Sequence, residues 1–490
     1  MAGLSKSRIN LHRQCPKRLW LKLNKPELET VDEGTQVSFS TGNRVGDIAR
    51  HMFQDGLLID TPSLSEALAL TQRLLPASQP LFEATFEHQG TLIRADLLLP
   101  DAEGWRMAEV KSSTSVKPYH LEDAAIQAYV LSHKGIELTG IDIAHINNQF
   151  VYPGNGDYAG LLSFADVTET VINMAKDVGQ WIAEAQTTAQ SPDEPDIPVG
   201  KQCTNPFECS FRRYCDPTAF EPMPVYSAKV LPRGGEFAQS LINNQREDLR
   251  QLAQSDLPNP VYQRIWRTLQ TGQAELDPQA KTVLESLPYP YYHIDFETIN
   301  LAIPVWAGTR PYQQVPFQWS CHVQTADTIT HHAFLADGLS DPRREFTESL
   351  LNTIGTEGTI FVYNASFEKG RLNEMAQAFP EHKATIDALM PRIFDLLPLM
   401  RNHYYHSDMK GSWSIKAVLP TIAPDLDYKN LMVGHGGAAM EAFEEMMSKE
   451  TSTERRLALY QALLEYCELD TLAMVRIVDY VRGTIKWAVI

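Results

Sequence analysis

Four of the six cysteines are spaced in a way that could hold a metal centre. Cys203, Cys209 and Cys215 follow one another at intervals of six, and Cys15 stands alone near the start of the chain. Zinc ligands usually come in pairs about two to four residues apart, whereas a distant fourth thiolate suits an iron-sulfur cluster that joins two ends of a domain. The pattern favours a [4Fe-4S] cluster, with zinc and unliganded thiols as the alternatives. The other two cysteines, Cys321 and Cys467, lie in apolar segments of the sequence and are predicted core residues.

Three carboxylates fall on neighbouring segments with strand character. The text LFEATFE, TLIRADLLL and WRMAEVKSS, joined by short turns, predicts a three-stranded meander. A two-residue turn at Gln89-Gly90 sets Glu83 opposite Asp96, and the next, four-residue loop sets Asp96 opposite Glu109. Directly opposed side chains lie about 5 Å apart, so this row could share a divalent ion.

A lysine accompanies this row of acids. Lys111 lies two residues beyond Glu109 and therefore projects from the same face of its strand. Its ammonium could orient a water molecule or stabilise the charge of a transition-state phosphate. The alternative is an exposed sheet face with alternating polar residues, but the apolar neighbours of the row indicate burial.

A second set of acids occupies the last third of the chain. Asp295 and Glu297, in HIDFETIN, share one face of a predicted strand. Tyr466 and Asp470, in LLEYCELDTLAMV, lie one helical turn apart on one face of a predicted helix. Acids that end an apolar core strand are costly to bury without a metal ion, so the set predicts metal binding.

Two further acids lie between these motifs. In FVYNASFEKGRL an apolar strand runs into a predicted helix that carries Asn364 and Glu368, and Asp395 lies in RIFDLLPL. A cage of carboxylates can hold two ions about 4 Å apart for phosphodiester cleavage, and we expect Mg²⁺ or Mn²⁺ here. For Asp395 alone, a helix cap or a surface position is the favoured interpretation.

The elements that must position these residues form an α/β protein with three parts. Residues 1–222 alternate helical and strand patterns and end in a Cys-rich, Pro-punctuated stretch. Residues 223–287 are polar with helical periodicity and are predicted to be a helical connector. Residues 288–490 begin with strands and close with long helical patterns, which predicts a domain with a mixed sheet.

Charge and composition exclude some functions. The 490 residues carry a net charge of −18, which argues against a passive polyanion-coating protein. No run of about 18 apolar residues and no apolar leader is present, so we expect a cytosolic protein without membrane association. No G-x-x-x-x-G-K-[ST] loop occurs, so any ATP-driven motion would come from a separate helicase or ATPase partner.

One local segment is strongly basic. Between Lys6 and Lys25 there are seven Lys or Arg residues and no carboxylate. Such a run is either a solvated helix face or a phosphate-contacting surface. Its position beside Cys15 favours phosphate contact, with Lys17 and Arg18 as the residues that bind nucleic acid.

The first set of motifs resembles a nuclease family. Asp96 followed by Glu109-Val110-Lys111 is similar to the D…(D/E)xK core of the PD-(D/E)XK nucleases, which have a restriction-endonuclease-like fold. With the four cysteines, the first domain resembles the RecB-like iron-sulfur nucleases of CRISPR spacer acquisition and AddB. The helix with Gln127 and Tyr129 is similar to that family's Q-and-Y helix, with a different spacing, and implies that Gln127 contacts nucleic acid. The family's upstream metal-binding His is replaced here, with Asp47 as a candidate substitute.

The second set resembles the DEDD exonucleases of the RNase H-like fold, in the subgroup with Y-x-x-x-D in its last motif. Asp295 with Glu297 and Tyr466 with Asp470 match the first and last motifs. Glu368 stands where the family usually has Asp, which leaves Glu368 or Asp395 as the fourth acid. Asn364 and Lys416 are implied to assist in binding nucleic acid.

Together the resemblances imply a bacterial fusion of two metal-dependent nucleases. We expect hydrolysis of nucleic acid in repair, recombination or defence, with DNA favoured over RNA and 3′-to-5′ action by the second domain. An RNA-trimming exonuclease is one alternative. The other is an iron-sulfur nucleic-acid-binding adaptor for a helicase, with one or both acid sets inactive.

Overall fold

A computed structural model describes residues 4–30, 33–429 and 431–484, with only the backbone described for 33–40. The chain forms two compact units. The N-terminal unit runs to Glu221 and includes Leu301–Tyr312; the C-terminal unit comprises Pro222–Asn300 and the chain from Gln313 onward. The boundary at Glu221 adjoins the predicted end of the first domain at residue 222. The predicted connector, 223–287, belongs to the C-terminal unit.

The N-terminal unit is built on a mixed sheet of seven strands. The strand order is β2-β3-β4-β5-β6-β7, and β1 pairs in parallel with β4. The strands are β1 (Leu4–Ser5), β2 (Leu57–Leu58), β3 (Leu81–His88), β4 (Thr91–Asp101), β5 (Gly104–Lys111), β6 (Leu138–Ile146) and β7 (Leu162–Asp166). The helices are α1 (Lys6–Gln14), α2 (Pro16–Asn24), α3 (Glu33–His51), α4 (Leu64–Leu74), α5 (Pro118–His133), α6 (Thr168–Gln190) and α7 (Arg212–Cys215).

The predicted meander is confirmed as the antiparallel strands β3, β4 and β5. Gln89 and Gly90 form the first turn with φ of 49° and 73°, the positive values that a two-residue type I′ hairpin turn requires. This turn sets the predicted register, in which Ala84 faces Ala95. The regular pairing is interrupted at Glu83, whose φ is 56°.

The core of the N-terminal unit lies between the sheet and helices α5 and α6. Ile126 and Val130 of α5 are fully buried together with Ile141 of β6 and Val178 of α6. The same helix reaches the end of β5, because the side-chain amide of Gln127 donates a hydrogen bond to Glu109. Glu109 is therefore covered by α5.

The C-terminal unit is built on a mixed sheet of five strands with the order β11-β10-β9-β12-β13, beside a two-stranded sheet of β8 and β14. The strands are β8 (Glu275–Leu276), β9 (Tyr291–Ile299), β10 (Val315–Gln324), β11 (Ile329–Leu335), β12 (Thr359–Val362), β13 (Ile393–Asp395) and β14 (Tyr404–Tyr405). The helices are α8 (Gly235–Asn243), α9 (Pro260–Thr271), α10 (Gln279–Glu285), α11 (Arg343–Thr353), α12 (Ser366–Ala378), α13 (Lys383–Leu389), α14 (Leu396–His403), α15 (Ile415–Ile422), α16 (Gly436–Met447) and α17 (Thr453–Arg482).

Strands β9, β10 and β11 are antiparallel, whereas β12 and β13 run parallel to β9, so the predicted mixed sheet is confirmed. The 30-residue helix α17 packs on β9 and β10. Segment 223–287 packs into the same core as the rest of the unit, because Leu249, Ile265 and Leu284 are fully buried with Met400 and Val478.

The described helices include none that is both long enough and apolar enough to span a membrane.

Candidate functional site

Three acids that are far apart in the sequence meet in the C-terminal unit. Asp295 and Glu297 project from the same face of β9, because successive strand residues alternate between faces. Asp470 extends from α17, which covers that face. One carboxylate oxygen from each of the three lies within 4.8 Å of the others. This spacing lets the three carboxylates share a cation.

Burial and mutual repulsion disfavour the charged forms of these acids. Burial, followed by the charges of Asp470 and Glu297, raises the pKa of Asp295 well above its usual value. Burial and Asp470 likewise raise the pKa of Glu297 to about 8. The pKa of Asp470 is also raised, mainly by burial. Such a set is stable in its ionised form only beside positive charge, which a divalent cation would supply.

The fourth acid can be chosen between two candidates. Glu368, in the first turn of α12, is 2% exposed, and its Oε2 has no hydrogen-bond partner among the described residues. Burial raises the pKa of Glu368 to about 8, and its charge acts on Asp295. Asp395 instead caps α14 and accepts 3.0 Å hydrogen bonds from the N–H groups of Asn364 and Ala365. The predicted cap role of Asp395 is confirmed, and Glu368 is the acid available for a ligand.

Two tyrosines and a lysine border the acids. The Lys416 ammonium donates hydrogen bonds to Tyr466 Oη at 3.1 Å and to the Gly434 carbonyl at 2.8 Å. Tyr428 Oη donates to Asp470 Oδ1 at 2.6 Å. Burial and the nearby Asp470 raise the pKa of both phenols far above 10, so they act as hydrogen-bond donors. Tyr428 was missed from the sequence because it lies outside any periodic element.

Asn364 and Cys467 are two further residues around this site. Asn364 is exposed at the turn between β12 and α12, has φ of 87°, and accepts a 2.9 Å hydrogen bond from Ser366 Oγ. Cys467 is fully buried, with its Sγ 3.8 Å from the Asp295 carbonyl oxygen. Cys321 is also fully buried, so the predicted core positions of these two cysteines are confirmed.

In the N-terminal unit, Glu109 at the end of β5 is the centre of a polar network. Its Oε1 accepts from Lys6 Nζ at 2.6 Å and from Lys111 Nζ at 2.8 Å. Its Oε2 accepts from Gln127, which is fully buried and so acts on Glu109 from within the fold. Burial alone would raise the pKa of Glu109, but the charges of Lys111 and Lys6 outweigh it and lower the pKa.

The other two acids of the predicted row have different surroundings. Asp96 is covered by its neighbours, and burial with the charge of Glu109 raises its pKa to about 7, although the Val110 N–H donates to it at 2.7 Å. Glu83 leaves the regular strand and lies 3.9 Å from Arg50. Asp47 pairs with the same Arg50. Among the described residues, Glu83, Asp96 and Glu109 do not form a three-acid cluster within 4.8 Å.

Sequence reasoning missed Asp123, Asn10 and the contact made by Lys6 in this network. Asp123 on α5 accepts hydrogen bonds from Lys111 and from Asn10. Asp123 lies four residues before the predicted Gln127 on the same helix face, a spacing that could have signalled it. Lys6 contacts Glu109 across a sequence separation of 103, for which the sequence carries no local signal.

Three members of this network, Lys6, Lys111 and Asp123, border a cavity of about 910 Å³ in the N-terminal unit. Arg18 and Phe207 also line this cavity. Cations, an acid and an exposed aromatic ring thus face one cleft. A cleft with this lining suits a phosphodiester strand with unstacked bases.

The four predicted cluster cysteines line one small cavity, together with Lys17 and Arg18. Cys15 lies directly before α2, Cys203 and Cys209 lie in the loop after α6, and Cys215 ends α7. Burial raises the pKa of Cys209 and Cys215, and the charges of the other cysteines raise it further. As thiolates, the four cysteines around this cavity could hold a metal centre that neutralises their charge, although no three of their Sγ atoms lie within 4.8 Å of one another in the described structure.

The basic segment has its charges largely paired within the N-terminal unit. Lys17 and Lys25 both pair with Glu194, at 2.8 and 2.9 Å. Arg18 bonds to the side chain of Gln14 and lines both the cysteine cavity and the cleft. Further pairs are Lys6 with Glu109, Arg13 with Glu122 and Lys22 with Glu29. Of the two predicted phosphate-binding residues, Lys17 pairs with a carboxylate, whereas Arg18 bonds to the neutral side chain of Gln14.

Comparison with known proteins finds a family model and several relatives. A domain of unknown function, DUF2779, matches residues 292–414, which include Asp295, Glu297 and Glu368. Uncharacterized protein UU173 of Ureaplasma parvum is 25% identical over 286 residues, or 54% of this chain and 40% of the relative. Uncharacterized protein MG366 of Mycoplasma genitalium is 28% identical over 215 residues, or 40% of this chain and 32% of the relative.

The MG366 homolog of Mycoplasma pneumoniae is 27% identical over 229 residues, or 42% of this chain and 34% of the relative. The chain thus spans well under half the length of the curated relatives that it matches.

Proposed function

We propose that this protein is a metal-dependent nuclease with two active sites, one in each unit. The observation that carries the proposal is the meeting of Asp295, Glu297 and Asp470 within 4.8 Å in buried surroundings that oppose their ionisation. A buried group of like charges is costly unless it serves to bind a cation. The motif order resembles the DEDD exonucleases, so the C-terminal unit is proposed to remove nucleotides from a 3′ end.

In this proposal Asp295, Glu297, Glu368 and Asp470 hold Mg²⁺ or Mn²⁺. When bound, such ions lower the pKa of water and neutralise charge on the phosphate that is attacked. Hydrolysis adds water across the P–O3′ bond, which releases a nucleoside 5′-monophosphate and leaves a 3′-hydroxyl on the shortened strand. The protein groups bind and orient the reactants.

Tyr466 is proposed to position the attacking water through its hydroxyl group. Its phenol keeps its proton at neutral pH, because burial raises its pKa, so Tyr466 is a hydrogen-bond donor here and not a base. The 3.1 Å hydrogen bond from Lys416 holds the phenol in place. Lys416 and the exposed Asn364 are also available to contact the phosphate backbone.

The N-terminal unit is proposed to be the second nuclease site, of the PD-(D/E)XK type. Asp96 and Glu109 would hold a divalent cation, with Glu83 as an outer ligand. Lys111, which contacts both Glu109 and Asp123, would orient water or stabilise the phosphate. A [4Fe-4S] cluster on the four cysteines would join the start of the chain to the loop beyond α6, and so support the wall of the cleft.

DNA is the proposed substrate, with action in repair, recombination or defence beside a separate helicase or ATPase. The test uses the full chain with labelled single-stranded DNA, duplex DNA and RNA, in Mg²⁺ or Mn²⁺ and in EDTA. Stepwise nucleotide release from the 3′ end that stops in EDTA and in Asp295→Asn supports the proposal for the C-terminal unit. Absence of metal-dependent cleavage of all three substrates would refute the proposal. Preference for RNA would show that RNA, and not DNA, is the substrate.

A further inference from the structure

A cluster of two histidines and a glutamate lies in the C-terminal unit and has no part in the proposed hydrolysis. His322 of β10 and His331 of β11 are directly paired across the two antiparallel strands, and their ring centroids are 4.6 Å apart. Glu468 faces them from α17, with its Oε1 3.6 Å from His331 Nδ1. One donor atom from each of the three residues lies within 4.8 Å of the others.

The spacing is close to that of a tetrahedral metal site. With Zn²⁺ bonds of about 2.0–2.1 Å, two ligand atoms lie roughly 3.4 Å apart. The distance from His331 Nδ1 to Glu468 Oε1 already has nearly this value. A ring nitrogen of His322 completes the set within 4.8 Å.

A hydroxyl network holds the other nitrogen of each imidazole. His331 Nε2 lies 2.9 Å from Ser320 Oγ, and His322 Nδ1 lies 2.8 Å from Thr471 Oγ1. The two hydroxyls are 2.8 Å apart, and Thr471 Oγ1 also lies 3.0 Å from the Glu468 carbonyl. Both histidines lie within reach of fixed partners, as metal-binding histidines do.

One arrangement of protons satisfies this whole network. Each imidazole donates its N–H to a hydroxyl, Ser320 donates to Thr471, and Thr471 donates to the Glu468 carbonyl. The remaining nitrogens, Nε2 of His322 and Nδ1 of His331, then carry free lone pairs. A lone pair on a neutral imidazole is what a metal ion binds.

The cluster also has a route for an ion to enter. His322 is buried, with 4% of its surface exposed, whereas the Glu468 side chain is 48% exposed. The ligands therefore run from the interior to the surface. A bound ion would keep a solvent-facing position beside the carboxylate, as sites with three protein ligands do.

We propose that His322, His331 and Glu468 bind a transition-metal ion of the Zn²⁺ class. Two imidazoles and one carboxylate suit such ions, whereas Mg²⁺ prefers oxygen ligands alone. The ion would link β11, an edge strand, to α17, the helix that carries Asp470. This site is separate from the carboxylates proposed to hold Mg²⁺ or Mn²⁺ and does not depend on nuclease activity.

The test is the number of Zn²⁺ equivalents bound by the full chain with Asp295→Asn, which weakens the acidic site. Zn²⁺ alone is titrated into metal-stripped protein by calorimetry. His331→Ala and Glu468→Gln should each bind one equivalent fewer than the Asp295→Asn parent. The matched control is His332→Ala, because His332 pairs with Cys321 and projects from the opposite face of the same strand. His332→Ala should bind the same number of Zn²⁺ equivalents as the Asp295→Asn parent.

Equal binding in His331→Ala, Glu468→Gln and His332→Ala would overturn the proposal. Because Glu468 is exposed and Gln has nearly its shape, the Glu468→Gln result decides even if His331→Ala fails to fold. Ser320→Ala should keep the equivalent and weaken its affinity by about 10–100-fold, since it removes a group that orients a ligand. The Co²⁺ difference spectrum between His332→Ala and His331→Ala should contain ligand-field bands without a thiolate charge-transfer band; a thiolate band would assign the ion to the cysteines.

Discussion

The Tyr428 hydroxyl donates a 2.6 Å hydrogen bond to Asp470, whose carboxylate also lies within 4.8 Å of those of Asp295 and Glu297. The neighbouring Tyr466 accepts a 3.1 Å hydrogen bond from Lys416, and its hydroxyl group also interacts with Asp470, which opposes the rise that burial causes in the pKa of that acid. Both phenols therefore act on Asp470, but Tyr466 is also held by the Lys416 ammonium. In the proposed mechanism Tyr428 orients a metal ligand and Tyr466 positions the attacking water.

The proposed roles predict different kinetic effects for the two tyrosines. Tyr466→Phe should lower kcat by about 100-fold or more with metal affinity kept, because it removes a group that positions the reacting water. Tyr428→Phe should weaken Mn²⁺ affinity or activity by about 10–100-fold, because it frees a ligand. Metal-dependence curves of single-strand digestion measure both effects. Tyr460→Phe on the same helix is the control, and identical behaviour of all three variants would contradict the assignment.

Glu368 should make the metal-free protein less stable as pH rises. Its pKa is raised from 4.5 to about 8, so the folded state favours the protonated form. That contribution to stability is complete below about pH 4.5 and is lost as pH rises through about 8. Each pKa unit corresponds to about 1.4 kcal/mol, so Glu368→Gln should stabilise the protein in EDTA at pH 8.5 by about 1–3 kcal/mol.

Thermal unfolding in EDTA across pH measures this effect. In Mn²⁺ the parent should be more stable than Glu368→Gln, because Gln lacks the negative charge with which Glu binds a divalent cation. Glu465→Gln, at an exposed position of α17, should leave both profiles unchanged. A Glu368→Gln protein with the same pH profile as the parent would show that Glu368 is not part of the buried acid set.

The four cysteines should give anaerobically purified protein a brown colour. Cys209→Ser should remove the colour and destabilise the N-terminal unit, because the cluster joins distant parts of the chain and its loss frees them. Cys321→Ala, at a buried position of the C-terminal unit, should keep the colour. The measurements are the visible absorption spectrum and the iron content. Colourless protein that contains stoichiometric zinc would show that the cysteines form a zinc site and not an iron-sulfur cluster.

Lys111 and Asp96 should separate chemistry from metal binding in the N-terminal unit. Lys111→Ala should abolish cleavage by this unit with metal binding largely kept, whereas Asp96→Ala should lose both. Asp123→Asn should lower the rate by about 10–100-fold, because Asp123 orients the Lys111 ammonium. The assay uses an Asp295→Asn background, and Ser132→Ala, at an exposed position of the same helix outside the cleft, is the control. Full activity in Asp123→Asn would contradict the proposal that Asp123 orients the Lys111 ammonium.

Arg18 should matter more than Lys17 for binding nucleic acid. Lys17 is neutralised by Glu194 at 2.8 Å, whereas Arg18 bonds to a neutral amide and faces the cleft. Arg18→Ala should weaken binding of single-stranded DNA and reduce the slope of log affinity against log salt by about 1. Lys17→Ala should change the slope little. If the double variant kept both affinity and slope, phosphate binding by this segment would be rejected.

Local periodicity was sufficient to predict several parts of the site. The register of β3, β4 and β5 followed from loop lengths, because strand pairing is determined once the turn is known. Asp295 and Glu297 share a face because side chains alternate along a strand. The helices within 223–287 also followed from periodicity, but their place in the core of the C-terminal unit did not. Periodicity describes a segment and not its partner.

The sequence by itself determined which residue types could do chemistry and which of them share a strand or helix face, since both depend on short-range backbone geometry. Only the tertiary structure decided which distant groups meet. It separated Glu368 from the capping Asp395, brought Tyr428 to Asp470, and brought Lys6 to Glu109 across 103 residues. It also paired most of the basic segment internally. These contacts depend on how helices pack over sheets, and burial then sets the charge of each group, which no local pattern encodes.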